Sequence, residues 1–153
     1  MDFRLQTYAK SETICEKENG MNRKEMAAAY HQKGYNCAQA VACAFADKVE
    51  YSEQQIFAMT EAFGLGGGNM AGTCGAVAGG NLILSCLLSG GDPEHPVTKA
   101  ATYKVSGGFQ TRFAEQNGSV ICRELKGVDT GKVLTPCPKC IEHAVGLLEE
   151  ILS

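Results

Sequence analysis

The sequence predicts an all-α fold, a compact single-domain bundle of about five to seven helices around a Gly-rich central loop. Three observations carry that expectation. Asn22, Asn36 and Ser52 each stand immediately before a stretch that can run as a helix, where their side chains can cap the first unpaired backbone N–H groups. The last segment repeats apolar residues at Ile141, Ala144, Val145, Leu148 and Ile151, at helical spacing. Nowhere does a strand–helix alternation appear.

Taken in order, residues 1–21 show no convincing period and read as an N-terminal extension, leaving 22–153 as the helical, cysteine-rich domain. Asn22 caps a helix to about Lys33 that Gly34 ends. Asn36 caps a second, Ala-rich helix from Cys37 to about Lys48, apolar nearly all round and therefore central. Ser52 with Gln55 forms a capping box for a third helix carrying Ile56, Met59 and Phe63. The run GLGGGNMAGT at 64–73 holds too many glycines for a regular element and is a loop. A fourth helix follows from Cys74 to about Leu88, where Gly75 and Gly79, with Ala76 and Gly80, make a side that another backbone can approach closely. Pro96 opens a fifth helix to about Gln116, in which Gly107-Gly108 predicts a kink or break. SVICREL at 119–125 reads equally as extended chain or one helical turn, and the final helix runs from Cys137 to about Leu152.

Bulk properties exclude several function classes. A net charge of -3 and the absence of a basic face argue against nucleic-acid binding. Residues 62–91 carry no charge, but ten of those thirty are Gly, and polar groups interrupt the rest. Such a segment makes a poor membrane span and reads as the buried centre of a domain. The charged N-terminal stretch lacks the apolar core of a secretory signal, so the expected location is cytoplasmic.

Eight cysteines in 153 residues then need an account. Structural disulfides are uncommon in the cytoplasm. Cys43 and Cys86 lie inside apolar helical stretches and read as small buried residues. Cys37, Cys74 and Cys137 stand where helices begin, with Cys140 one turn further on. A helix N-terminus favours a thiolate, the form that binds metal and does redox chemistry. With Cys122 these supply enough sulfur for one metal or iron–sulfur centre.

The segments YNCAQAV (35–41), GTCGAVAG (72–79), CREL (122–125) and CPKCIEHAVGLLEEIL (137–152) resemble, in this order, the C_GCAxxG_C_C family of redox-active proteins. The resemblance covers about residues 22–152. It implies a small helical protein with four spaced cysteines, here Cys37, Cys74, Cys122 and Cys137, and it is shared with a domain of split-Soret cytochrome c for which an iron–sulfur site has been suggested. Two departures stand out. The residues around Cys74 read T-C-G-A rather than G-C-A, and Cys140 occupies a place where the family usually has an apolar residue, making it an additional or alternative ligand to Cys137. No C-x-x-C-H is present, so the haem half of the cytochrome does not carry over.

The leading expectation is therefore an iron–sulfur centre, of a kind lost on aerobic purification, serving electron transfer or redox sensing with a partner redox protein. Gly72 and Gly75 would surround it and let backbone N–H groups reach the sulfurs. Sequence separations of 37, 48 and 15 between the four cysteines match no local ferredoxin run. Structural zinc is an alternative, because four thiolates suit Zn²⁺ equally. So is thiol–disulfide exchange at CPKC, with Cys137 as nucleophile and Cys140 as resolver. His143 reads as a packing or exposed residue, while His31 and His95 carry no assigned role. The Gly75–Gly79 side also suggests a homodimer contact.

Overall fold

The computed structural model describes residues 20–153; the extension expected at 1–21, Cys15 included, falls almost wholly outside the described residues. Seven α-helices are found in that span: α1 (Arg23–Lys33), α2 (Cys37–Cys43), α3 (Glu53–Thr60), α4 (Gly75–Leu88), α5 (Lys99–Asn117), α6 (Cys122–Lys126) and α7 (Cys137–Leu152). Short 3-10 turns follow α2 at Ala46–Lys48 and α3 at Glu61–Phe63. The described residues contain no strand, only an isolated antiparallel bridge between Thr73 and Ile121. The all-α expectation holds.

The three anticipated helix starts form as capping boxes. Asn22 accepts from Glu25 N–H at 2.9 Å, Asn36 from Gln39 N–H at 2.9 Å and Ser52 from Gln55 N–H at 3.1 Å. In each case the third helical side chain accepts a hydrogen bond from the cap's own N–H in return. Gly34 closes α1 at φ 113°, a left-handed conformation that glycine reaches without a Cβ penalty.

The bundle is organised around α2, which packs against α1, α3, α4 and α7, while α5 covers the outer side of α4 and α7. Every residue of α2 after Cys37 is buried. Its small side chains let α4 come very close, a Cβ on Gly79 lying 2.4 Å from the Ala38 carbonyl oxygen, while toward α5 one on Gly80 would lie 2.7 Å from the Phe109 ring. The close-packing side of α4 is thus consumed inside the chain, and it no longer argues for a contact between copies. Ile83, Leu84, Phe109, Phe113, Ile141, Val145 and Leu148 complete the core.

Several boundaries differ from expectation. Helix α2 stops at Cys43 rather than near Lys48 because the Arg23 guanidinium takes the Ala44 carbonyl at 2.6 Å and grips both oxygens of Asp47 at 2.6 and 2.8 Å. The same guanidinium lies over the Phe45 ring, 4.7 Å from its centre. On α3, which ends at Thr60, only Ile56 and Thr60 are buried; Met59 is exposed, and Phe63, expected on this helix, lies exposed in the 3-10 turn that follows. Helix α5 begins at Lys99, since Asp92 organises a preceding turn by accepting from Glu94 N–H and His95 N–H. It then runs through Gly107-Gly108 without a break, those two glycines having open space where a side chain would be. SVICREL is both things at once, extended at Ile121 and helical from Cys122. No helix among the described residues is long and apolar enough to cross a membrane.

Candidate functional site

Four chain segments meet at one end of the bundle. The 64–73 loop closes on the start of α6: Cys122 N–H donates to the Gly72 carbonyl at 3.0 Å, Arg123 N–H to the Met70 carbonyl at 2.9 Å, and Cys74 N–H to the Val120 carbonyl at 2.6 Å. That clasp sets Cys74 and Cys122 side by side. Gly66 must lack a side chain for it to form, since a Cβ there would sit 2.5 Å from the Cys122 Cβ. Gly75 likewise packs on α2, where its Cβ would meet the Cys37 Cβ at 3.1 Å, and Gly72 would meet the Gly66 carbonyl at 2.8 Å. The start of α7 then delivers Cys137 and Cys140.

The result is a cavity of about 210 Å³ lined by Cys37, Cys74, Cys122, Cys137 and Cys140, with His31, Leu65 and Lys126 among its other walls. All seven described cysteines are free thiols. Cys74, Cys122 and Cys140 are buried, whereas Cys37 and Cys137 are half-buried. Cys43 is buried in the core with its thiol directed to the Glu53 carbonyl at 3.7 Å, and neither it nor Cys86 lines the cavity.

Within the cavity the sulfurs stand as pairs. Cys37 and Cys137 are each the leading influence on the other's ionisation, and Cys140 and Cys74 stand in the same relation. The Cys140 S–H donates to the Thr135 carbonyl at 3.6 Å. The two cysteines of CPKC therefore each partner a thiol from a different helix, not one another.

This pairing governs ionisation more than position at a helix start does. Cys37, with Lys126 beside it, lowers the Cys137 thiol from its ordinary value to about 5. Cys74 is also lowered, first by Cys140 and then by the N–H groups of Ala76 and Val77 at the start of α4. Their partners move the other way: Cys37 and Cys140 are raised because each holds its proton against a neighbouring thiolate. Burial raises Cys122. Of the cysteines at helix starts, Cys37 and Cys122 thus go against the simple expectation.

Two cavity groups escaped the sequence reading. Lys126 shares the cavity wall with Cys137, whose charge raises the lysine. A signal for it existed, since Lys126 lies four residues after Cys122 on the same helical face. His31, at the end of α1, enters the cavity wall through the packing of α1 on α7, which no local motif announces. His143 packs, its Nδ1 2.7 Å from Asn117 Oδ1, and His95 is an exposed partner of Asp92 at 3.0 Å.

The donor set is dominated by thiols, suited to zinc or to an iron–sulfur cluster. A single zinc ion needs its ligands about 2.3 Å from one point. Among the described residues no group of three Cys, His, Asp or Glu side chains is so arranged. Two thiol pairs and Cys122 instead surround a space.

A family model described as "Putative redox-active protein (C_GCAxxG_C_C)" matches residues 35–151. No curated protein and no solved structure matches the chain.

Proposed function

This chain belongs to the C_GCAxxG_C_C family of redox-active proteins, and on that premise we propose that its cavity holds an iron–sulfur centre used in electron transfer or redox sensing. Cys37, Cys74, Cys122 and Cys137 would hold it, with Cys140 as an additional or alternative ligand. One observation carries the reading: thiols from four separate segments line one cavity next to a fixed cation, Lys126. The spacing of sulfurs around a volume, rather than a point, favours a polynuclear centre over structural zinc. Such a centre supplies one-electron transfer when bound. The chain's own residues keep two sulfurs toward thiolate, through Cys37, Cys140 and the α4 N–H groups. The Lys126 ammonium offsets negative charge on the side of Cys137. Free thiols throughout the described chain suit a reducing compartment such as the cytoplasm, and an electron partner would be another redox protein.

Anaerobic reconstitution with iron and sulfide tests this. The expected result is bound iron and inorganic sulfide with visible absorbance that dithionite bleaches, lost in Cys74→Ser and Cys122→Ser and retained in Cys86→Ser. Stoichiometric zinc without colour, or uptake indifferent to the cavity cysteines, overturns it.

A further inference from the structure

The two thiol pairs of the cavity are not equivalent. Cys74 and Cys140 are 6% and 2% exposed, and Cys140 has the Thr135 carbonyl as an acceptor. Cys37 and Cys137 are the half-buried pair, so a small solute entering the cavity meets them first. They line the same cavity from the starts of different helices, and each is the leading influence on the other's thiol. The nearest sequence partner of Cys137, Cys140, is engaged elsewhere. We propose that Cys37 and Cys137 form a disulfide switch at the mouth of the cavity, closed by a hydroperoxide. Its closure would withdraw two of the sulfurs that the iron–sulfur centre requires.

Cys137 is the attacking sulfur. It opens the 16-residue helix α7 and shares the cavity wall with Lys126, whereas Cys37 opens a helix of only seven residues. The Cys137 thiolate attacks one oxygen of hydrogen peroxide; a sulfur–oxygen bond forms, the oxygen–oxygen bond breaks, and the departing hydroxide takes a proton from solvent and leaves as water. The Cys37 sulfur then attacks the sulfur of the Cys137 sulfenic acid. A sulfur–sulfur bond forms, the sulfur–oxygen bond breaks, and the Cys37 proton leaves with the hydroxyl as a second water. Two electrons pass from the dithiol to the peroxide, and a cavity of about 210 Å³ suits so small an oxidant. The consequence for the centre rests on the reading given under Proposed function; formation of the disulfide does not.

The test is to treat the full-length, reduced, metal-free chain with one equivalent of hydrogen peroxide, block remaining thiols with N-ethylmaleimide and map linked peptides by mass spectrometry without reduction. The expected result is loss of two thiols per chain and Cys37–Cys137 as the main linkage. A main linkage of Cys137 to Cys140 or of Cys74 to Cys140 overturns the proposal. So does sulfinic acid accumulating at Cys137 while Cys37 remains a free thiol. In Cys37→Ser the sulfenic acid at Cys137 should persist and be trapped by dimedone, while Cys43→Ala should cross-link as the parent does. The same treatment of reconstituted protein should release iron in step with the cross-link. Linkage in a chain that takes up no iron on attempted reconstitution would sink the centre and leave the switch standing, whereas bound iron with no Cys37–Cys137 linkage would sink the switch alone.

Discussion

Cys37 and Cys137, a hundred residues apart in sequence, line one cavity from the starts of α2 and α7. Each is the leading influence on the other, which raises the Cys37 thiol and lowers that of Cys137.

A pH dependence follows from that asymmetry. In the reduced, metal-free protein, alkylation of Cys137 by iodoacetamide should stay fast from pH 8 down to about 6 and fall through about pH 5, because its thiolate persists to that value. Cys37→Ala removes the largest cause and should move the midpoint upward. Lys126→Met should move it the same way by less. The sign for stability is the usual one for a depressed acid. The contribution from Cys137 is present above its unfolded value of about 9 and is lost as pH falls through about 5. An unchanged alkylation profile in Cys37→Ala would show that the two sulfurs do not interact.

Glycine substitutions should separate two roles. Gly79→Ala drives a methyl group into the Ala38 carbonyl of α2 and should destabilise the fold by about 1–3 kcal/mol or more. Gly107→Ala meets open space on a helix and should stabilise it by roughly 0.5–1 kcal/mol. Urea unfolding midpoints measure both, and equal effects would contradict the packing of α4 on α2.

Asn36 joins the fold to the site. Its side chain caps α2 through Gln39 N–H and donates to the Glu61 carbonyl at 2.9 Å, holding the end of α3 beside Cys37. Asn36→Ala should cost about 1–2 kcal/mol from the cap alone. It should also expose Cys37 to alkylation, read as a faster rate at fixed pH. Asn36→Asp keeps the acceptor and loses the donor, so it should restore the cap without restoring the second contact.

Leu65 adopts a positive φ of 52° in the cavity wall with its side chain 46% exposed. A left-handed leucine costs roughly 1–2 kcal/mol, and an exposed side chain returns little of that by burial. Leu65→Gly should therefore keep or slightly raise thermal stability while opening the wall, seen as faster alkylation of Cys122. A marked loss of stability would mean that the side chain packs more tightly than its exposure indicates.

What lies in the chain's local chemistry could be read without coordinates. The boxes at Asn22, Asn36 and Ser52 and the amphipathic spacing of α7 involve residues three or four apart, whose contacts any helix dictates. Cysteines at helix starts were legible for the same reason, and the burial of Cys43 followed from its apolar neighbours. The termination of α2 by Arg23 was not legible, because the side chain that ends the helix comes from another helix. Nor was the continuity of α5 through Gly107-Gly108, where packing by Phe109 and Phe113 outweighs the weak helix preference of two glycines.

Sequence alone thus determined the all-α class, the capped helix starts at Asn22, Asn36 and Ser52, and the place of Cys37, Cys74 and Cys137 at helix starts, since each depends on neighbours along the chain. Tertiary structure decided that Cys137 faces Cys37 and Cys140 faces Cys74, that Lys126 and His31 join them, and which thiols give up a proton. Those outcomes depend on the close approach of α4 to α2 at Gly79 and on the clasp between the 64–73 loop and α6. Short-range contacts between helices set the electrostatics of each sulfur, and only the folded chain brings those partners within reach.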